Sequence, residues 1–214
     1  MQFEIEPYLS ECLQLIIVKA DDWNGPSAQM QCHERTGPDS EWKASGEPFE
    51  VVIGKKGLAW GQNLATLPKE PGPMKQEGDL KTPAGLYGFC FAFGTAQGPV
   101  PGISLPYLQI DENFVGVDDP GSRYYNCIVN QEVLTEKDWS SAETMMRTDG
   151  LYKWGILVDY NFVDMKPGAG SQIFLHIWRG PGQGTEGCVA MPQDKLWNLL
   201  QWMDGGKSPL IWIR

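Results

Sequence analysis

Short apolar runs alternate with clusters of turn-forming residues along most of the chain. Leu13-Gln-Leu-Ile-Ile-Val18 reads as a strand, followed by the turn cluster Asp21-Asp-Trp-Asn-Gly-Pro26. Ala28 to Glu34 predicts a second strand, Thr36-Gly-Pro-Asp-Ser40 a turn, and Phe49-Glu-Val-Val-Ile53 a third strand ending at Gly54. This cadence is that of an antiparallel meander. A Pro/Gly/charge-rich loop over 68–82 leads into a strand at Pro83-Ala-Gly-Leu-Tyr-Gly-Phe89. Residues 95–106 read as loop and Asp118-Asp-Pro-Gly-Ser122 as a turn. Tyr152 to Tyr160, Gln172 to His176 and Pro209 to Ile213 read as further strands, and residues 1–11 as a polar lead-in.

Helical spacing occurs in two places. Behind Pro192, a residue suited to a first helical turn, Leu196, Leu199, Leu200 and Met203 repeat on one face up to Gly205. A shorter helix is expected over Ser140 to Arg147, with Ser140 or Ser141 as N-cap. The fold class is therefore mainly β, with one C-terminal helix and a few short ones. No linker or repeat divides the chain, so residues 12–214 are expected to form a single domain behind the 1–11 lead-in.

Composition narrows the function. With 25 Gly and 16 Pro in 214 residues, turns and short strands are favoured over long helices. The 9 Trp and 7 Tyr suit a β-rich core or a groove for an extended ligand. A net charge of −10 without a basic stripe argues against a nucleic-acid partner. No apolar run approaches the ~18–20 residues of a membrane helix. Met1-Gln-Phe-Glu-Ile-Glu6 lacks the basic start and long apolar stretch of a signal peptide, which leaves a cytosolic chain or a trimmed mature form. Cys12, Cys32, Cys90, Cys127 and Cys188 include no CxxC pair and no metal-ligand spacing. No metal or cofactor is expected. Apart from Cys188, the cysteines read either as small buried apolar residues or as disulfide partners of undetermined pairing.

Candidate chemistry concentrates in Ile173-Phe-Leu-His176-Ile-Trp-Arg179-Gly-Pro-Gly-Gln-Gly184-Thr185-Glu186-Gly187-Cys188-Val-Ala-Met191. One of only 2 histidines ends an apolar run, and a cysteine follows a Gly/Pro-rich loop. A cysteine acyl-transfer centre needs a thiolate, a base and donors for an oxyanion. Cys188, His176 and backbone N–H groups of the Gly184–Cys188 turn supply these, and Gly187 permits close backbone approach. The helix after Pro192 is expected to aim its N-terminus at the site and lower the thiol pKa. Blander roles compete. Thr185 also reads as a turn residue, Glu186 as a solvated carboxylate, Trp178 as core packing and Asn161 as the turn after a strand. His33, among polar residues, reads as a surface histidine.

His176 … Thr185-Glu186-Gly187-Cys188-Val189 resembles the active-site signature of the L,D-transpeptidases, the YkuD-type cysteine enzymes of the bacterial cell wall: a His, a spacer, then Ser/Thr-x-Gly-Cys-hydrophobic. Lys75-Gln-Glu-Gly-Asp79-Leu-Lys-Thr82-Pro83-Ala-Gly85-Leu-Tyr-Gly-Phe resembles the "EGD…TPxG" segment of one branch, as do Tyr124-Tyr125-Asn126 and Asp159-Tyr160-Asn161. The resemblance covers residues 13–214. It implies a β-sandwich of mixed sheets with a C-terminal helix, and acyl transfer on peptidoglycan stem peptides. Cys188 would attack the carbonyl of the L-centre of the position-three diamino acid and expel D-Ala. The thioester would then pass to a neighbouring amine as a 3→3 cross-link, or to water. The Ile177 carbonyl beside the base would be the third catalytic element.

Glu186 stands where many members carry a His, and Ala190 and Met191 where many carry an Arg or Asn. Arg179 is the alternative partner for a stem carboxylate. Trp178, Arg179, Thr185, Glu186, Asn161 and Tyr160 are the substrate-binding candidates. The resemblance implies a periplasmic or extracellular protein whose signal segment has been removed, and a monomer is expected. Two alternatives stand beside transfer: L,D-carboxypeptidase action or D-amino-acid exchange by the same nucleophile, including a toxin-like effector form, and a non-catalytic peptidoglycan-binding module.

Overall fold

In β1 (Gln14–Ala20), strand alternation sends Ile16 and Val18 into the main core and Leu15 and Ile17 to the opposite face. The computed structural model describes residues 5–62 and 72–214. Residues 1–4 of the lead-in and 68–71 of the following loop lie outside the described residues. The rest of the lead-in is not wholly polar in its placement. Glu6–Tyr8 form a 3-10 turn, and Ile5, Leu9 and Cys12 are buried beside Leu15, Trp42, Leu86 and Trp212. Arg35 ties this segment down through the Cys12 carbonyl at 2.8 Å, the Leu9 carbonyl and Glu6 at 3.1 Å.

The meander reads largely as expected. β1 pairs antiparallel with β2 (Ser27–Glu34), which pairs antiparallel with β3 (Lys43–Val52). β3 begins earlier than its apolar part because a register shift between Met30 and Cys32 lets the polar stretch Lys43–Pro48 continue the ladder. β4 (Leu58–Trp60), β5 (Thr82–Tyr87), β6 (Phe89–Gly94) and β7 (Tyr107–Gln109) follow, then β8 (Phe114–Val117), β9 (Ile128–Asn130), β10 (Ala142–Thr144) and β11 (Trp154–Val158). The C-terminal part supplies β12 (Phe174–Ile177), β13 (Val189–Met191), the helix α1 (Gln193–Trp202) and β14 (Leu210–Ile213). One sheet runs β4-β5-β14-β1-β2-β3-β13-β12-β11-β6-β7, and a small second sheet runs β10-β8-β9. The architecture is mainly β, with mixed sheets and a C-terminal helix.

The helix expected over Ser140 to Arg147 is absent. Ala142–Thr144 instead pairs antiparallel with Val115–Val117, Met145 N–H donates to the Phe114 carbonyl at 3.0 Å, and Met145 is buried. Helix propensity in Ala-Glu-Thr-Met-Met is worth tenths of a kcal/mol per residue and yields to pairing that satisfies the β8 edge and buries Met145. His33 is a second correction. It is 5 % exposed, and burial lowers its pKa. All five cysteines are free thiols.

Two layers of core explain where a site can form. α1 lays Leu196, Leu199 and Leu200 on the main core, which also takes Ile156, Val158, Leu175 and Ile177 from one face of β11 and β12. The other face of those strands, carrying Leu157 and Phe174, packs with Phe93, Met145 and Tyr152 and meets Phe114 and Ile128 of the small sheet. His176 follows Phe174 by two residues and therefore emerges on this second face.

Candidate active site

β12 and β13 run parallel, with His176 opposite Ala190 and Leu175 opposite Val189. Cys188 precedes β13 by one residue and packs on the Phe174 face. His176 and Cys188 thus share one face on neighbouring strands, a diagonal step apart, and the Gly/Pro-rich loop between them is the strand-to-strand return. The turn before Cys188 is clamped. Thr185 Oγ1 donates to the Cys188 carbonyl at 2.6 Å and accepts the Gly187 N–H at 3.1 Å, while Thr82 Oγ1 donates to the same carbonyl at 3.3 Å. Thr185 N–H donates to the Ile53 carbonyl at 2.8 Å, tying the turn to the end of β3. Gly187 has φ +152°, and a Cβ there would lie 3.1 Å from the Lys81 carbonyl oxygen. Both the backbone conformation and the space favour glycine.

A carbonyl can only accept, so the 2.7 Å contact between His176 Nδ1 and the Ile177 oxygen puts the ring proton on Nδ1 and leaves the Nε2 lone pair available. The Tyr152 ring stands edge-on to the imidazole, with centroids 5.2 Å apart and planes at 78°. Burial pushes the His176 pKa down to about 4, against the favourable Ile177 carbonyl, with Arg147 and Arg179 adding to the depression. The Cys188 thiol donates to the Gln172 carbonyl at 3.4 Å and accepts the Phe174 N–H at 3.3 Å. Burial, then the Glu143 charge, raises its pKa to about 12, outweighing the Phe174 N–H and Lys75. The resting pair is a thiol and a neutral imidazole with no hydrogen bond between them among the described residues. The helix does not start at the thiol as expected, because the extended strand β13 separates Cys188 from the first turn of α1. Gln193 and Asp194 line a separate depression with Lys153, Trp154 and Trp197.

His176 and Cys188 open into a cavity of about 600 Å³, whose wall also includes Trp178, Arg179, Thr185, Glu186 and Gly187. Ile177 contributes its carbonyl from behind the imidazole. Arg179 is exposed and pairs with Asp149 at 3.8 Å, and exposed Glu186 pairs loosely with Lys55 at 3.5 Å. Tyr160 and Asn161 are not brought to the cavity. Both are buried, the Tyr160 hydroxyl donating to the Ala169 carbonyl at 2.5 Å and the Asn161 amide to the Lys166 and Gly170 carbonyls at 3.0 and 2.9 Å.

The model of the L,D-transpeptidase catalytic domain (YkuD) matches residues 28–211. The chain belongs to this family. No curated protein and no solved structure matches it.

Several residues of this L,D-transpeptidase-family site escaped the sequence reading. Arg147 donates to Glu143 at 2.8 Å and holds both oxygens of Asp149, at 3.0 and 2.6 Å, with its guanidinium 5.2 Å from the Tyr152 ring centroid. The Tyr152 hydroxyl donates to Glu143 at 2.9 Å. Burial raises the Glu143 carboxyl pKa, whereas Arg147 holds Asp149 down at about 2. Glu143, Arg147 and Tyr152 of this ladder line the cavity, with Tyr152 against the imidazole. The ladder's signal was present as Glu143 and Arg147 at i,i+4, which reads as an exposed helical ion pair when the segment is taken for a helix.

Lys75 is buried, pairs with Asp79 at 2.6 Å and lines the cavity. Asp79 also accepts the Gln76 and Lys81 N–H groups at 2.9 Å each, which explains the EGD segment as a preformed turn. Asn126 donates to the Tyr160 and Asn161 carbonyls at 2.9 and 3.1 Å and accepts the Gln172 N–H at 2.9 Å. It thereby anchors the residue whose carbonyl holds the thiol. Among the described residues no group of His, Cys, Asp or Glu is arranged to hold a metal ion, and no helix is long and apolar enough to cross a membrane.

Proposed function

We propose that this chain is a cysteine acyltransferase acting on peptidoglycan stem peptides outside the cytoplasm, with Cys188 as nucleophile and His176 as base. The observation that carries the reading is the His176 Nδ1–H held on the Ile177 carbonyl, which leaves Nε2 as acceptor on the face that Cys188 shares. The thiol is protonated at rest, so Nε2 takes its proton as sulfur closes on the substrate carbonyl; this is general-base assistance, not a standing ion pair. In the turn, the Gly184, Thr185 and Gly187 N–H groups are already committed to Gly182, Ile53 and Thr185 oxygens. Among the described residues the Glu186 and Cys188 N–H groups have no partner outside the strand ladders, and they are the donors proposed for the oxyanion. The imidazolium then gives its proton to the departing D-Ala amine, leaving a thioester on Cys188. An acceptor amine attacks the thioester, His176 removes its proton, and the sulfur leaves and is reprotonated. Arg179, exposed in the cavity wall, suits a carboxylate of the donor stem.

The test is intact-protein mass spectrometry and product analysis with a tetrapeptide stem as donor. Release of D-Ala with cross-linked dimers, lost in Cys188→Ala and His176→Gln, is the expected result. Tripeptide alone would replace transfer by trimming. No D-Ala release, together with no Cys188 adduct from a carbapenem, would overturn the enzymatic reading.

A further inference from the structure

Gln172 joins two features that are unfavourable in an empty cavity. It is 6 % exposed, and neither its Nε2 nor its Oε1 has a hydrogen-bond partner among the described residues. Its backbone has φ +52°, a conformation that costs free energy in a residue with a side chain. The backbone is fixed from both sides, by Asn126 on its N–H and by the Cys188 thiol on its carbonyl. A buried, unpaired carboxamide is rare, because it has given up water without replacement. Gln172 nevertheless lines the cavity that holds His176 and Cys188.

A second orphan lies close by. A Cβ on Gly116 would come within 2.5 Å of Gln172 Oε1, so the carboxamide lies directly over β8 where that strand lacks a side chain. Two residues further along, Asp118 also lines the cavity, and its Oδ1 is buried without a partner among the described residues. The three orphaned atoms are one donor group, Nε2, and two acceptors, Oε1 and Oδ1.

We propose that Gln172 and Asp118 form a specificity subsite for an amide group of the substrate. An ammonium offers only donors and leaves Nε2 unpaired. A carboxylate offers only acceptors and meets the Asp118 charge. A carboxamide or peptide unit offers an oxygen to Nε2 and an N–H to Oε1 or Oδ1, and so satisfies the set. Gln172, Asp118 and Cys188 line one cavity, so an amide seated here shares that cavity with the sulfur of the proposed nucleophile. The proposal rests on the stem-peptide reading, with two sources of the amide: the main chain of the stem, or an amidated side-chain carboxyl.

Binding is measured on Cys188→Ala, so that no turnover is needed, using a tetrapeptide stem with free side-chain carboxylates and the same peptide with those carboxylates amidated. Gln172→Met keeps the length of the side chain and removes its polar atoms. It is expected to weaken binding about tenfold or more. Equal weakening for both peptides assigns the site to the main chain; loss only of a preference for the amidated peptide assigns it to the side-chain carboxamide. Asp118→Leu, which preserves shape and removes the acceptor, is the independent arm and is expected to weaken binding as well. Unchanged affinity in Gln172→Met, parent-like affinity in Asp118→Leu, or failure of the Cys188→Ala parent to bind either peptide would overturn the subsite. Gln172-dependent binding without D-Ala release from the Cys188 form would remove the acyl-transfer reading and keep the subsite.

Discussion

The thiol of Cys188 points its hydrogen at the Gln172 carbonyl, 3.4 Å away, and not at the imidazole of His176. His176 in turn has its own ring hydrogen on the Ile177 carbonyl at 2.7 Å. The proposed base and nucleophile are each held by a backbone carbonyl, and on that reading the thiol must leave Gln172 to give its proton to the imidazole.

Cys188 in the empty protein should therefore alkylate slowly at neutral pH. With a pKa raised to about 12, its rate with iodoacetamide is expected to climb about tenfold per pH unit between pH 7 and 10 without levelling off. Peptide mapping separates it from the other four thiols. A plateau beginning below pH 8 would mean that a thiolate–imidazolium pair pre-exists.

Acid should destabilise the fold through His176. Its folded pKa, about 4, lies below the unfolded value of about 6.5, so below pH 6.5 the unfolded chain binds a proton that the folded chain refuses. The stability is fully present above pH 6.5 and is lost as pH falls toward 4, at about 1.4 kcal/mol per pH unit within that window. His33, also depressed by burial, acts in the same direction. Urea melts at pH 7 and pH 5 should show this loss, and His176→Gln should make it smaller. An unchanged slope in the variant would place the acid sensitivity elsewhere.

Changes in the turn should damage acylation more than stability. Gly187→Ala brings a Cβ to 3.1 Å from the Lys81 carbonyl at φ +152°, displacing Cys188 from its clamp. A loss of about 100-fold in the acylation rate is expected, as for a misplaced reacting group. Thr185→Val removes both Oγ1 hydrogen bonds at a cost of about 1–2 kcal/mol. Single-turnover acylation with thermal melts separates the two effects.

Arg147 and Arg179 sit on the same carboxylate but differ in consequence. Arg147→Met leaves Asp149 without its main partner and Glu143 with the Tyr152 hydroxyl, and is expected to cost about 1–3 kcal/mol in a denaturant melt. Arg179, half exposed and 3.8 Å from Asp149, should tolerate Ala within about 0.5 kcal/mol. If it grips a stem carboxylate, Arg179→Ala raises the donor KM while melting like the parent. An unchanged KM would remove Arg179 from donor recognition.

Read along the chain, Leu13–Val18, Ala28–Glu34 and the repeat Leu196, Leu199, Leu200, Met203 were legible because each buries one face at its own period, 2 or 3.6. The short strands β7, β9 and β10 were not, since three residues carry no measurable period and their pairing partners are distant in sequence. Asn161 and Asn126 stood out in the motif segments, yet their amides hold backbone carbonyls behind the site, a role that composition and spacing do not reveal.

The sequence by itself determined the mainly β alternation, the C-terminal helix and the placement of His176 and Cys188 at the two ends of one Gly/Pro-rich loop, because each rests on local period or local spacing. Only the tertiary structure decided the protonation of that pair, the Glu143–Arg147–Asp149 ladder and the unpaired amide of Gln172. Those depend on burial and on contacts between strands far apart in sequence, where removal of water, more than residue identity, sets the charge state.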